Sequence, residues 1–528
     1  MPVLNWIGKE KVINHHLDVP YRVLERKYSY DSTGQHEEDN GSENMIIRGD
    51  NLEALKSLLP KYEGRIKCIY IDPPYNTGNE GWVYNDNVND PRIKKWLGEV
   101  VGKEGDDLSR HDKWLCMIYP RLKLLNKLLA ENGVIFISID DREQYNLRMI
   151  CNEIFGEKNF VAQFVWQKRT SPDMRKLVST AHEYIVVYCK DIDFINDAIN
   201  KVALTEEDAE NYRNPDNDPR GPWASSDFTA QGYRPNQMYE ITTPGGAKYL
   251  PPEGRCWKNI ESEFLKQVED GRIWFGVDGN SIPRRKTYLS EREGKNVWSW
   301  WDNKSVGHSQ EATKEIVKIF GTSTVFDYAK PVRLVQRIVQ IATKAKGSIV
   351  LDSFAGSGTT AHAVINMNKE DGGDRKYILV EMMDYADTVT AERVKRVING
   401  YGEGNKHVDG IDSSFSFFDL GEPLMIDGNI NPEVSANKIR EYIYYTETKQ
   451  ATVIKNDEPY YLGTAYNTAY YFNYEKDSAT TLDYEFLSTI RTRAEAYVIY
   501  ADTCNLSENE LATYHITFKK IPRDIRRF

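Results

Sequence analysis

Asp72-Pro73-Pro74-Tyr75 joins a carboxylate, two rigid residues and an aromatic face directly after an apolar, strand-like run from Ile66 to Ile71. That set suits an enzyme that holds a planar amine still while its nitrogen attacks an electrophile. An exocyclic amino nitrogen of a nucleobase is a poor nucleophile, because its lone pair is delocalised into the ring. Asp72 can accept one of its N–H groups and a backbone carbonyl of the proline pair the other, and both bonds favour a pyramidal nitrogen with a free lone pair. Tyr75 can stack on the base. The prolines fix φ at two successive positions, so carboxylate, carbonyl and ring are arranged before a substrate arrives. The four residues alone also fit a strand that ends in a plain Pro-Pro turn.

A second constellation lies far downstream. Gly347 to Leu351 reads as a short buried strand, followed by Asp352-Ser353-Phe354-Ala355-Gly356-Ser357-Gly358-Thr359-Thr360 and a helical pattern through Ala361, Val364 and Ile365. Glycines there let the backbone approach a ligand closely, and the helix start offers unpaired N–H groups to a carboxylate or phosphate. The next strand, Tyr377 to Val380, ends in Glu381. An acidic residue roughly 20 positions past the glycines is the expected acceptor for ribose hydroxyls. Gly356-x-Gly358-x-x-Ala361 alone does not separate a nicotinamide cofactor from S-adenosylmethionine. No Gly-Lys-Ser/Thr follows, which argues against a nucleotide triphosphatase. The two constellations together point to transfer of a methyl group and not a hydride, since nothing in a Pro-Pro-Tyr loop would serve a nicotinamide.

The elements that must hold these residues alternate between strand and helix. From Met45 to Lys190 the pattern gives strand Ile46-Ile47, helix Leu52–Leu59, strand Cys68–Ile71, a helix around Trp114–Leu129, strand Val134–Ile139, and the paired strands Val161–Gln167 and Glu183–Tyr188. Such alternation predicts an α/β fold with a doubly wound, mostly parallel sheet, the last pair antiparallel at one edge. The acidic loop from Asn76 to Asp107 is too long for a plain connection and is a candidate lid or DNA-contacting loop. Residues 1–44 read as an N-terminal arm with a mobile polar stretch from Ser29 to Glu43. Over residues 191–325 the periodicity fades, and Trp223, Tyr233, Trp257 and Trp274 interleave with Arg220, Arg234, Arg284, Arg285 and Lys286. Aromatic faces beside cations suit bases and phosphates, while most of the tryptophans also suit the core of an inserted domain. Residues 326–400 resume the α/β pattern, and the Tyr- and Thr-rich remainder, 401–528, predicts a small mixed domain.

Over most of its length the chain resembles the amino-directed DNA methyltransferases of the permuted β arrangement, and specifically the modification subunits of type III restriction-modification systems. The resemblance runs through Gly49-Asp50-Asn51-Leu52, Asp72 to Thr77, Trp114 to Leu122, Gly133 to Asp141 and His182-Glu183-Tyr184. It continues through Asn214 to Trp223, Gly271 to Gly276, Phe326 to Val332, Ser353 to Ala363 and Glu441 to Thr448. It implies a Rossmann-like methyltransferase sheet with its catalytic half at 45–190 and its cofactor half at 326–400. A target-recognition domain at 191–325 and a C-terminal domain at 401–528 for dimerisation or partner docking complete the implied order. Asp72, Pro73, Pro74 and Tyr75 would meet the target base. Phe354, Gly356, Gly358, Thr359 and Thr360 would cradle S-adenosylmethionine, with Asp352 near its amino-acid end, Glu381 on its ribose, Asp50 at its adenine end and Lys330 as a further contact. The implied activity is sequence-specific transfer to N6 of a flipped adenine, the acidic first residue of the loop going with adenine. A cytosine-N4 enzyme, or a recognition scaffold for a nuclease, are the alternatives. Double-stranded DNA, a second copy and a restriction helicase-nuclease are the implied partners. The chain is somewhat short for such a subunit.

Composition sets the outer bounds. At 528 residues, with 40% hydrophobic residues and no apolar run near 20, the chain predicts about three domains and no membrane span. Met1-Pro2-Val3-Leu4-Asn5-Trp6 is no signal peptide. The six cysteines, scattered without a Cys-x-x-Cys pair, read as buried thiols of a cytoplasmic protein and not as a metal site. A net charge of −11 opposes non-specific DNA binding, so DNA affinity would depend on local clusters of Lys and Arg.

Overall fold

The computed structural model describes residues 3–76, 110–344, 346–426, 428–450, 458–522 and 525. The long acidic loop lies outside the described residues from position 77 on.

Among the described residues eleven strands form one sheet. In chain order they are β1 (Arg22–Asp31), β2 (Gly34–His36), β3 (Met45–Arg48), β4 (Ile66–Ile71), β5 (Leu129–Ile139), β6 (Phe160–Gln167), β7 (His182–Cys189), β8 (Trp300–Trp301), β9 (Ile349–Asp352), β10 (Lys376–Glu381) and β11 (Phe415–Pro423). Across the sheet they run β8-β6-β7-β5-β4-β9-β10-β3-β11-β1-β2. The middle, from β5 to β11, is parallel throughout. β7 is antiparallel to β5 and β6, and β1 is antiparallel to β11 and β2.

β4 is buried at every position, which is why its sequence is apolar but for Lys67, whose ammonium donates to the Asn132 and Asp197 carbonyls, and does not alternate: both faces are covered. On one face Ile69, Ile71, Ile135, Ile137, Ile378 and Val380 share a core with α1 (Asn51–Tyr62), α2 (Arg110–Leu128) and α3 (Gln144–Phe155). Successive side chains point to opposite faces, so the buried Tyr70, Phe136 and Leu379 face the other side. After α4 (Ser309–Phe320) come α5 (Val332–Ala342) and α6 (Thr359–Asp371), which pack on each other and add nothing to the first core. In α5 the buried Leu334, Val335, Ile338, Val339 and Ile341 follow the helical period and make one apolar stripe. The sheet is doubly wound.

Three expectations change. Residues 1–44 are no arm: β1 and β2 extend the sheet, Tyr28 stacks on Phe417 and Tyr30 on Phe415, and Trp6 is buried in the first core. The alternation of Tyr28-Ser29-Tyr30 carries that strand, so the polar stretch from Ser29 begins inside it. The compact insert spans Lys201–Val297, shorter at both ends than 191–325, because Trp300 and Trp301 pair with Val165 and Trp166 of β6. The insert has its own core of Phe228, Ile241, Trp257, Phe264, Ile273 and Phe275. Residues 401–528 are divided: β11 lies in the main sheet beside β3, and only the later residues form a separate four-stranded sheet of Tyr461–Ala465, Thr468–Phe472, Ala496–Ala501 and Ile516–Lys520. Between them α7 (Ala436–Thr448) plants Tyr445 in the core of α1 to α3. No helix among the described residues is long and apolar enough to cross a membrane.

Candidate active site

β4 and β9 are parallel neighbours, with Cys68 beside Val350 and Ile69 beside Leu351. Asp72 follows the last residue of β4, Asp352 closes β9 and Glu381 closes β10. Two segments far apart in sequence thus emerge together at the carboxyl ends of parallel strands, where open α/β sheets bind ligands. Asp72, Lys330, Phe354, Gly356 and Thr360 line one pocket there. A larger cleft of about 780 Å³ adjoins it, lined by Asp72, Pro73, Tyr75, Lys168, Glu183 and Lys330 among others. That volume suits a small-molecule site.

The proline pair is held from behind. The Trp114 indole N–H donates to the Pro74 carbonyl at 2.6 Å, while the Pro73 carbonyl has no protein donor among the described residues. Asn76 sits at φ 59 just past the motif and its amide donates to Glu143, a fully buried carboxylate that His111 Nδ1 approaches at 2.6 Å. The Tyr75 hydroxyl donates to Asp72 Oδ1 at 2.7 Å and reaches Glu183 Oε2 at 3.2 Å. Lys330 Nζ donates to Asp72 Oδ2 at 2.5 Å, lies 3.8 Å from Glu183 Oε2 and stands 5.0 Å from the centre of the Tyr75 ring. Lys168 Nζ donates to Glu183 Oε1 at 2.7 Å.

Two lysines and two carboxylates therefore meet in one half-buried cluster on the wall of the cleft. Burial pushes the Lys330 ammonium down, but Asp72 and Glu183 beside it push it up and prevail. Burial pushes the Glu183 carboxyl up, while Lys330 and Lys168 pull it down, below the ordinary carboxylate range. Burial, then Asp72 and Glu183, hold the Tyr75 phenol well above its usual value, so it stays a donor.

The glycine loop is built for close approach. Phe354 N and Thr360 Oγ1 donate to Asp352 at 3.0 and 2.5 Å, and Gly356 N and Met383 N donate to Glu381 at 2.8 and 3.0 Å. Burial pushes the Asp352 carboxyl up to about 7 in spite of the bonds from Thr360 and Phe354. Gly356 lies at φ 52, and a Cβ there would meet the Phe326 ring at 3.1 Å; Gly358 lies at φ 80 as the cap of α6, with no side-chain cap bond. Thr359 Oγ1 donates to the Lys330 carbonyl at 3.3 Å. The Ser353 hydroxyl is fully buried with no partner among the described residues. Asp50 caps α1 through Leu52 N and Glu53 N, and Asn51 Nδ2 donates to the Ser353 carbonyl at 3.1 Å. These residues fit a nucleoside cofactor with a cationic end: a buried carboxylate in the loop, an acidic strand end, and glycines where a side chain has no room.

The cations expected in the insert separate into two kinds. Lys286 is buried and ion-paired to Asp216 and Asp218, the latter at 2.9 Å, so it holds the insert together and offers no ammonium to DNA. Arg220 is tied to Asp218 and Asp270 and stacks on Tyr288 at 4.4 Å. Arg284 donates to Ser225 Oγ at 2.9 Å and is partly exposed. Arg234 and Arg285 are exposed.

Sequence reasoning expects Lys330 as a further cofactor contact; it lines the pocket with Phe354 and Gly356, and its ammonium donates to Asp72. It did not assign roles to Glu183, Lys168, Glu143 or Arg393. A glutamate at the start of β7, just ahead of its apolar run, is the available signal for Glu183. Arg393 is fully buried and donates to Ser357 Oγ and Thr359 Oγ1, both at 2.8 Å, a contact that no spacing in the sequence announces.

The Mod subunit of the type III restriction-modification enzyme StyLTI of Salmonella typhimurium is 39% identical over 65% of this chain and 53% of that protein. The EcoPI Mod subunit of Escherichia phage P1 is 34% identical over 72% and 63% respectively. The chain thus spans about half to two thirds of the length of these relatives. The type II methyltransferase M.KpnI of Klebsiella pneumoniae is 33% identical over 65% of this chain and 81% of its own length. The model of the DNA methylase family matches residues 66–392, which contain both the Asp72–Tyr75 loop and the glycine loop, and the chain belongs to that family.

Proposed function

We propose that this chain is a sequence-specific DNA methyltransferase that uses S-adenosylmethionine to methylate N6 of an adenine flipped out of the duplex. We further propose that it serves as the modification and recognition subunit of a type III restriction-modification system. The observation that carries the reading is the shared pocket of Asp72 and Gly356, which sets an amine acceptor against a cofactor loop. The likeness to Mod subunits supports the assignment to that system.

S-Adenosylmethionine, when bound, supplies a methyl group on a cationic sulfur. Asp352, Glu381 and the Gly356-Ser357-Gly358 turn are the residues that would hold it, and an ionised Asp352 would face its positive charge. On the other side Asp72 accepts one N–H of the target amine. The Pro73 carbonyl takes the second, because Trp114 already occupies the Pro74 carbonyl. Tyr75 presents its face to the base and keeps Asp72 oriented through its hydroxyl. Lys330 and Tyr75 bond Asp72 from two directions, so the carboxylate does not turn away from the amine. Flipping costs a few kcal/mol, which stacking and these bonds offset. The exposed Arg234 and Arg285 of the insert are the cations available to DNA, with Arg284 partly so. Duplex DNA, a second copy and a restriction helicase-nuclease subunit are the proposed partners.

Long-read sequencing of DNA from cells expressing the chain, paired with the Asp72→Ala variant, tests this. One modified adenine in a short motif, absent with the variant, is the expected result. N4-methylcytosine as the sole product would refute adenine, and unmodified DNA with the wild-type chain would refute methylation.

A further inference from the structure

The hairpin loop between β6 and β7, residues 168–181, carries three large apolar side chains that the described residues leave exposed. Met174 is 90% exposed, Leu177 107% and Val178 88%. Exposed apolar groups clustered on one tip mark a contact surface. The tip is shaped: Asp173 N donates to Ser179 Oγ at 2.8 Å, Arg175 clamps Asp173 at 2.9 Å, and Lys176 N donates to the Asp173 carbonyl at 3.0 Å. Its root is fixed as well. The backbone N–H groups of Lys168 and Arg169 donate to the Ala181 carbonyl, and Lys168 holds Glu183.

That root forms a wall of the cleft that contains Asp72 and Tyr75, through Lys168, Arg169, Lys176 and Thr180. The apolar tip therefore stands at the mouth through which a flipped base enters, with Arg169, Arg175 and Lys176 beside it. Cations around an apolar point match a phosphate backbone around a base stack. Proteins that kink or open DNA insert Leu, Met and similar side chains between base steps, and a flipped base leaves such a step open.

We infer that Met174, Leu177 and Val178 enter the duplex beside the target and fill the space the flipped base vacates, while Arg169, Arg175 and Lys176 hold the flanking phosphates. The inference rests on the methyltransferase reading above. The wedge acts on base pairing, so it becomes dispensable when the target base is already unpaired.

The test uses the full chain carrying Met174→Ser, Leu177→Ser and Val178→Ser together, with Leu177→Met as the conservative control. Single-turnover methylation is measured on a synthetic duplex of the motif found by sequencing, and on the same duplex with an abasic site opposite the target. The triple variant should lose roughly ten- to a hundredfold on the paired duplex, the equivalent of one buried leucine. It should recover most of that loss on the abasic duplex, and 2-aminopurine at the target should brighten with wild type and Leu177→Met but not with the triple variant. These side chains are exposed, so the fold is expected to survive, and thermal melting checks it. Equal loss on both duplexes, or no loss on the paired one, overturns the wedge. A change of oligomeric mass with flipping intact overturns it too and gives the tip to a second copy. A wild-type chain silent on both duplexes sinks the methylation reading and the wedge with it.

Discussion

Lys330 Nζ lies 2.5 Å from Asp72 Oδ2 and 5.0 Å from the centre of the Tyr75 ring, so one ammonium rests on both the carboxylate and the ring that we propose meet the target base. It also helps hold Glu183 ionised against burial. A carboxylate held low in the fold contributes stability above its unfolded value, and this is lost as pH falls through the folded value. Lys330→Met removes one of the two ammonium groups responsible. Glu183 then moves up, and both acid unfolding and the acid limb of the rate profile should shift to higher pH. Losing one partner of a largely buried cluster should cost about 3 kcal/mol. Melting curves and single-turnover rates from about pH 3.5 to 6, which spans the ordinary carboxylate value, check this, and an acid limb that stays in place would detach Lys330 from Glu183.

Asp352 gives the opposite sign. In the fold its carboxyl titrates at about 7 because it is buried, whereas an unfolded aspartate ionises near 4. Between those values the unfolded chain binds fewer protons, so stability falls as pH rises through that window and then levels off. Relative to Asp352→Asn, the wild type should lose on the order of 4 kcal/mol between pH 4 and pH 7. Binding of S-adenosylmethionine should strengthen over the upper part of the same window in the wild type and stay flat in the variant. Parallel melting and calorimetry series decide it, and identical slopes for the two proteins would remove the buried charge from the argument.

How far the residues announced this structure depends on the range of the interaction. Ile66 to Ile71 and Gly347 to Leu351 read as strands because parallel strands covered on both faces are mostly apolar without alternation, and β4 and β9 are such strands. Asp72 and Gly356 were legible because a double proline and a glycine turn are local chemistry. Lys330 on Asp72 was not, since a lysine in a Lys-Pro pair carries no mark of what lies across the sheet. Lys286 misled for the same reason: its charge says cation, and only Asp216 and Asp218 folding onto it make it part of the core. Tyr28-Ser29-Tyr30 alternated as a strand should, but the neighbouring polar residues masked it until Phe415 and Phe417 supplied the partners.

Gly356→Val should abolish binding of S-adenosylmethionine while the chain still folds. At φ 52 a branched residue is strained by roughly 1–2 kcal/mol, and its Cβ would already press on Phe326 at 3.1 Å before the methyl groups are counted. The side chain would also push on the Phe326 face of the pocket shared with Asp72. Calorimetry on the purified variant, with circular dichroism to show the fold, makes the measurement. Wild-type affinity would move the cofactor site away from this turn.

Within the insert, Lys286 and Arg285 are adjacent in sequence and should behave in opposite ways. Lys286 is buried between Asp216 and Asp218 and stands 5.2 Å from the Trp223 ring. Lys286→Met leaves Asp216 without its cation and Asp218 with the Arg220 cation alone, and should destabilise the insert by about 3 kcal/mol, seen as faster amide exchange over residues 201–297. Arg285 points to solvent, so Arg285→Ala should change stability by less than about 0.5 kcal/mol. If Arg285 meets a phosphate, DNA affinity falls evenly across sequences and the salt slope drops by about 1; if it meets a guanine, one position of the motif relaxes instead. Exchange mass spectrometry and fluorescence anisotropy at several salt concentrations separate the two residues. A Lys286→Met chain that keeps its exchange protection but loses DNA would return Lys286 to the DNA-binding surface and show that its two aspartates are partners only in the absence of DNA.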